Sequence, residues 1–137
     1  MALVTTYSDP VVRKKVVYKA LTADYTVPAS ESGTTYLLDA IGEDITLPSV
    51  ATAGLNYKFI CTVTAVTTDW TVTAPTAVIY GSCEVAGAIL AASAESLITL
   101  VVAKWLPGDW FEIESDGTNW YVRGQVVTAL GLTFTAP

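Results

Sequence analysis

The chain has 137 residues, 52% of them apolar and only 15% charged, with a formal net charge of −6. That length suits one domain, able to bury about two thirds of its unfolded surface without covalent staples. With no histidine, the commonest general base and metal ligand is missing, and two cysteines, Cys61 and Cys83, cannot build a zinc quartet or a disulfide framework.

An ordinary domain is about 25% charged, so this surface is poor in charge and should lie against a membrane, further copies or a partner. A membrane is the weaker choice. The apolar runs Ala86–Ala94 and Leu97–Ala103 stop at Glu95 and Lys104, short of the roughly 18–20 residues of a spanning helix. Met1–Asp9 lacks the order of a signal peptide.

Residues 1–20 read as an extended arm. Arg13, Lys14, Lys15 and Lys19 stand there against Asp9, a net +3, and leave the other residues at −9. An acidic body is the wrong sign for nucleic acid; the arm is better matched to an acidic protein surface, or to no partner. Residues 21–125 form the body. They are rich in Thr, Val, Ile, Tyr and Trp, which favour half-buried sheet, and turn signals such as Pro28, Gly33, Pro48, Pro75, Gly87 and Gly108 recur at short spacing. This pattern predicts an all-β sandwich or barrel. Strands are expected near 15–19, 24–27, 34–39, 43–47, 56–64, 69–73, 77–86, 96–103, 109–114 and 119–124. Ala86–Ser96 is the one stretch with the alanine content of a helix, although Gly87 argues against one.

In the strand 56–64, Tyr57, Phe59, Cys61 and Val63 share an apolar face. Cys83 falls on another apolar face with Ile79 and Val85. Two buried thiols acting as small hydrophobes are the simpler expectation; a Cys61–Cys83 disulfide is the alternative. The segment 110–123 predicts a hairpin turning at Asp116-Gly117, with Ile113 opposite Trp120 and Trp110 opposite Arg123. Phe111, Ile113, Trp120 and Val122 then form a core face, and Trp110 meets Arg123 in a cation–π contact. Trp105 and Trp110 are expected at the periphery, as a subunit interface or a sugar platform. Residues 126–137 form an uncharged tail in which Val127, Leu130, Leu132 and Phe134 should pack on the domain or on a neighbour.

Candidate chemistry is thin. Glu112 and Glu114 share the outer hairpin face at about 7 Å, a separation that would suit an inverting glycosidase, yet a solvated strand face has the same pattern. Asp109, Glu112, Glu114 and Asp116 match no calcium-loop spacing. No Gly-x-Ser-x-Gly and no phosphate loop occurs. No cofactor and no metal are expected, and the chain does not read as an enzyme.

Thr35-Tyr-Leu-Leu-Asp39, Ile45-Thr-Leu-Pro48, Ala53-Gly-Leu-Asn-Tyr-Lys-Phe59 and, above all, Gly108-Asp-Trp-Phe-Glu-Ile-Glu-Ser-Asp-Gly-Thr-Asn-Trp-Tyr-Val122 look like patterns of tailed-phage virion proteins. Over roughly residues 34–124 the chain resembles small all-β phage proteins of the capsid decoration (cement) type, and also domains of tail fibres. The resemblance implies a jelly-roll-like β-sandwich, which the arm and tail read from the residues would flank. It further implies a homotrimer on the outer capsid surface of the virion, assembled in the host cytoplasm, that bridges major capsid protein subunits and stabilises the expanded shell. Arg13, Lys14, Lys15 and Lys19 would then touch the capsid, and Trp105, Trp110, Val127, Leu130, Leu132 and Phe134 the neighbouring subunit. The alternative is a tail fibre or receptor-binding domain that stacks Trp105, Trp110 or Tyr121 on host surface sugars, though a fibre shaft has no room in this length.

Overall fold

The computed structural model describes residues 16–50, 52–76 and 78–137. Among these residues twelve strands form: β1 Val17–Leu21, β2 Tyr25–Thr26, β3 Thr34–Leu38, β4 Asp44–Thr46, β5 Ala53–Cys61, β6 Trp70–Thr73, β7 Ile79–Val85, β8 Ala88–Glu95, β9 Leu97–Leu100, β10 Trp110–Asp116, β11 Trp120–Val126 and β12 Leu132–Thr135. They make a seven-stranded sheet, in the order β1-β3-β5-β10-β11-β7-β8, and a five-stranded sheet, β12-β9-β6-β4-β2. The expected all-β sandwich is what the chain forms. Its connections differ from the antiparallel Greek keys of a jelly roll. The first six strands alternate between the sheets, so that β1, β3 and β5 run parallel in one and β2, β4 and β6 parallel in the other.

A short repeat lies behind this wrapping. Asp24-Tyr-Thr-Val-Pro28, Asp44-Ile-Thr-Leu-Pro48 and Thr71-Val-Thr-Ala-Pro75 share one pattern, and the ladder sets Tyr25 beside Ile45 and Ile45 beside Val72, with Thr26, Thr46 and Thr73 in a row. Apolar positions face the core; Val27, Leu47, Ile45 and Val72 are buried. The proline that closes each copy has no N–H for a ladder, so each passage through the small sheet stops there. Asp24 accepts from the Asp44 N–H at 2.9 Å.

The core lies between the sheets. Tyr36 stacks on Phe59 at 5.3 Å, and Phe59 on Phe111 at 4.8 Å. Trp70 fills the facing side, its indole N–H donating to the Asp39 carbonyl at 3.1 Å. Val63, expected on the core face of 56–64, is exposed because β5 ends at Cys61. Both cysteines are buried and unpaired, and burial pushes each thiol up to about 12.

Two local expectations are corrected and one alternative is decided. Ala86–Ser96 is not a helix, as Gly87 argues, but it holds a strand, β8, outside the ten expected. Ala86 and Gly87 both hold positive φ, 52° and 80°, and join β7 to β8 in a two-residue turn with Val85 opposite Ala88. The 110–126 hairpin turns later than expected. The Asp116 carboxylate accepts from the N–H groups of Thr118 and Asn119 at 2.8 and 2.7 Å, so Ile113 pairs with Val122 and Trp110 with Gln125. A two-residue slip leaves every side chain on its expected face, and Phe111, Ile113, Trp120 and Val122 are all buried. Of the two places expected for the segment 126–137, its own domain or a neighbour, it takes its own domain. β12 pairs with β9, Leu132 opposite Leu100 and Phe134 opposite Ile98.

Gly81 joins the halves of the large sheet. Its φ is 121°, and a Cβ there would stand 2.2 Å from the Val122 carbonyl oxygen. Gly81→Ala should therefore push β7 off β11. Gly87→Ala, with φ 80° but open space around it, should cost only about 1–2 kcal/mol. Urea unfolding of the two variants should show the larger loss at Gly81.

Candidate functional site

The arm cluster Arg13, Lys14 and Lys15 lies outside the described residues. Lys19 does not belong to an arm. It sits in β1, opposite Tyr36 of β3, and its ammonium pairs with Glu31 at 2.8 Å. The Glu31 carboxylate also accepts from the Tyr25 and Tyr36 hydroxyls at 2.7 and 2.6 Å. Lys19 and then Tyr36 hold that carboxyl down at about 2. Burial first, and Glu31 second, push the Tyr36 hydroxyl up. The network ties β1 to the turn before β3, so Lys19 serves the fold. The Glu31 carboxyl ordinarily titrates near 4.5. The stability it adds is complete above that value and is lost as pH falls towards about 2. Urea midpoints measured from pH 6 to pH 2 should fall in the wild type, and Glu31→Gln should flatten that fall.

Trp105 is a correction. It is fully buried, edge-on to Phe111 at 6.5 Å, because Asp109 gathers the turn around it. The Asp109 carboxylate accepts from the Leu106 N–H at 2.8 Å and the Val127 N–H at 3.1 Å. Leu132 is also buried, and Phe134 packs half-buried against the core. Of the expected interface residues, Val127 and Leu130 are the exposed ones, at 67% and 64%, and Trp110, like Phe134, is half-buried.

Two surfaces gather what remains. The first is the outer face of β5, β10 and β11. Lys58, not Arg123, covers Trp110, its ammonium 4.6 Å from the ring centre. Arg123 instead lies between two carboxylates, 3.3 Å from Glu112 and 2.8 Å from Glu114. It ties both to β11, Glu112 standing directly opposite it in the ladder. Tyr80 stacks beside Tyr121 at 6.4 Å. A depression of about 300 Å³ on this face is lined by Asn56, Lys58, Glu112, Glu114, Tyr121 and Arg123. Asp116 and Asp109 both serve turns. Among the described residues, no group of three or more His, Cys, Asp or Glu side chains is placed to hold a metal ion.

The second surface is an edge. β8 ends the large sheet, and from Ala88 to Ala94 it carries no charge. Ile89 is 74% exposed. Beside it runs an apolar groove of about 340 Å³ between β8 and the segment 129–133, lined by Val85, Ala88, Ile89, Leu90, Leu130 and Leu132. Leu130 holds a φ of 59°, a left-handed conformation costly for a leucine, and still points outward. Val127 and Leu130 are among the expected interface residues; β8 is not among the expected strands. The signal was present: an uncharged apolar run directly after a glycine turn is what an edge strand without charged protection looks like.

No family model matches the chain, and no curated protein matches it. Among the described residues no helix is long and apolar enough to cross a membrane.

Proposed function

We propose that the chain is a structural protein of a phage virion, a trimer that decorates the outer surface of the expanded capsid and bridges major capsid protein subunits. Its strongest support is the apolar edge and groove where Ile89 and Leu130 stand exposed together on a chain of net charge −6. A single soluble domain rarely leaves contiguous apolar surface uncovered, and a protein that works by being packed against others needs such surface. The resemblance of residues 34–124 to decoration proteins points the same way. The mechanism is mass action: a protein that binds only the assembled shell stabilises it in proportion to its occupancy, and a trimer multiplies weak contacts through effective concentration.

A tail fibre or receptor-binding role is favoured by one feature, the polar depression edged by Tyr121 and the nearby Trp110, where an aromatic ring and paired carboxylates could hold a sugar. Copy number separates the two: hundreds of chains per particle for a decoration protein, a few tens for a fibre. Heads assembled without this chain should rupture at lower temperature than decorated heads, and adding the purified protein back should restore them. Bare heads as robust as decorated ones would overturn the capsid role.

A further inference from the structure

The edges of the two sheets are not alike. At one end of the large sheet, β1 carries Lys19, held by Glu31. The small sheet ends on β2, of two residues, and β12, of four. These are the ordinary protections of an edge, charge and shortness. β8 has eight residues and neither protection over Ala88–Ala94.

The two-residue turn determines which way its backbone points. Ala88, Leu90 and Ala92 stand opposite Val85, Cys83 and Gly81, and with such a turn these are the pairs that exchange N–H and C=O with β7. Ile89, Ala91 and Ser93 therefore direct their main-chain groups away from the sheet, and all three residues are exposed. Among the described residues, no other main-chain group bonds to them. The straight run ends at Ala94, a bulge residue with φ 66°.

We propose that β8 pairs antiparallel with β8 of a second copy across a two-fold axis at Ala91, joining two large sheets edge to edge. Free N–H and C=O groups in a row call for an extended strand. The charge pattern selects a second copy. A chain with twelve acidic and three basic groups after residue 20 repels itself over most of its surface, and the uncharged strip is where two copies can meet without like charges opposed. The order of residues also suits self-pairing. With Ala91 opposite the partner's Ala91, Ile89 lies opposite the partner's Ser93, so each of these pairs can exchange both main-chain bonds. Glu95 then falls opposite the partner's Gly87, clear of the partner's Glu95. The contact does not depend on the virion role. It is distinct from a three-fold contact, and on a shell it would link neighbouring trimers.

Ala91→Cys tests the axis directly. Opposed Cα atoms in such a pair are about 5.5 Å apart, within disulfide reach, and the native thiols are buried. Mild oxidation of the full-length Ala91→Cys protein should yield a disulfide-linked dimer, while Thr22→Cys, exposed on the loop after β1, should not. In sedimentation equilibrium the wild type should show a mass that doubles with concentration, whether its unit is one chain or three. Ala91→Lys should abolish the doubling with an unchanged circular dichroism spectrum. Ala91→Cys linking no faster than Thr22→Cys, or doubling that survives Ala91→Lys, would overturn the pairing. Amide protection of Ile89, Ala91 and Ser93 that arises only on added capsid shells would overturn it too, and would give the edge to the capsid protein.

Discussion

The stack of Tyr36, Phe59 and Phe111 is the contact on which the rest of the sandwich depends. It spans the seam where the large sheet changes character: β3 and β5 run parallel, while β5 and β10 run antiparallel. Strands on the two sides of that seam reach it by different routes, one by wrapping through the small sheet and the other through the hairpin of β10 and β11. Three rings in van der Waals sequence hold the seam closed from the core side. Truncating one buried ring commonly costs about 3–5 kcal/mol, a large share of a domain's net stability. Trp105 leans on the same stack, so the turn at Pro107-Gly108 is anchored by the interior.

With the core satisfied, charge is confined to particular places. Arg123 is claimed by Glu112 and Glu114, Lys58 by the Trp110 ring, and Lys19 by Glu31. These three cations thus serve to hold neighbouring strands in register, which leaves the acidic groups to set the field around the body. Exposed pairs of this kind are worth little singly. Only the strip Ala88–Ala94 of β8 itself is without charge, with Glu84 on the neighbouring strand and Glu95 at its end.

Much of the fold was legible because alternation is a strong signal. Tyr57, Phe59 and Cys61, and again Phe111, Ile113, Trp120 and Val122, point inward as a period of two requires. Each of the ten expected strands has a counterpart. Register was harder. Asp-Gly suggests a two-residue turn from local propensity, but the Asp116 carboxylate captured two N–H groups further along and moved the turn. Trp105 was misplaced because a Pro-Gly turn suggests surface, and nothing local tells that Asp109 folds the turn back over the indole. The parallel wrapping was written in the Thr-x-Pro copies of β2, β4 and the segment 71–75. Their spacings of twenty and twenty-seven residues concealed it, since repeats are most easily seen at a fixed period. The edge β8 was missed for a different reason. Alanine-rich sequence has high helix propensity, and only the pairing partner on β7 decides otherwise.

The wrapped topology also bears on how the chain reaches its fold. β1, β3 and β5 become neighbours only after the chain has crossed to the other sheet and returned, so their pairing closes long loops before it is rewarded, a slow process. The hairpin of β7 and β8 needs only a two-residue turn, and hairpins of that kind form within about 1–10 μs. The unprotected strand is thus presented early, beside a chain whose parallel coils are still open. At high chain concentration, productive folding of this protein becomes a race between closing those coils and the meeting of two such strands from unfinished chains.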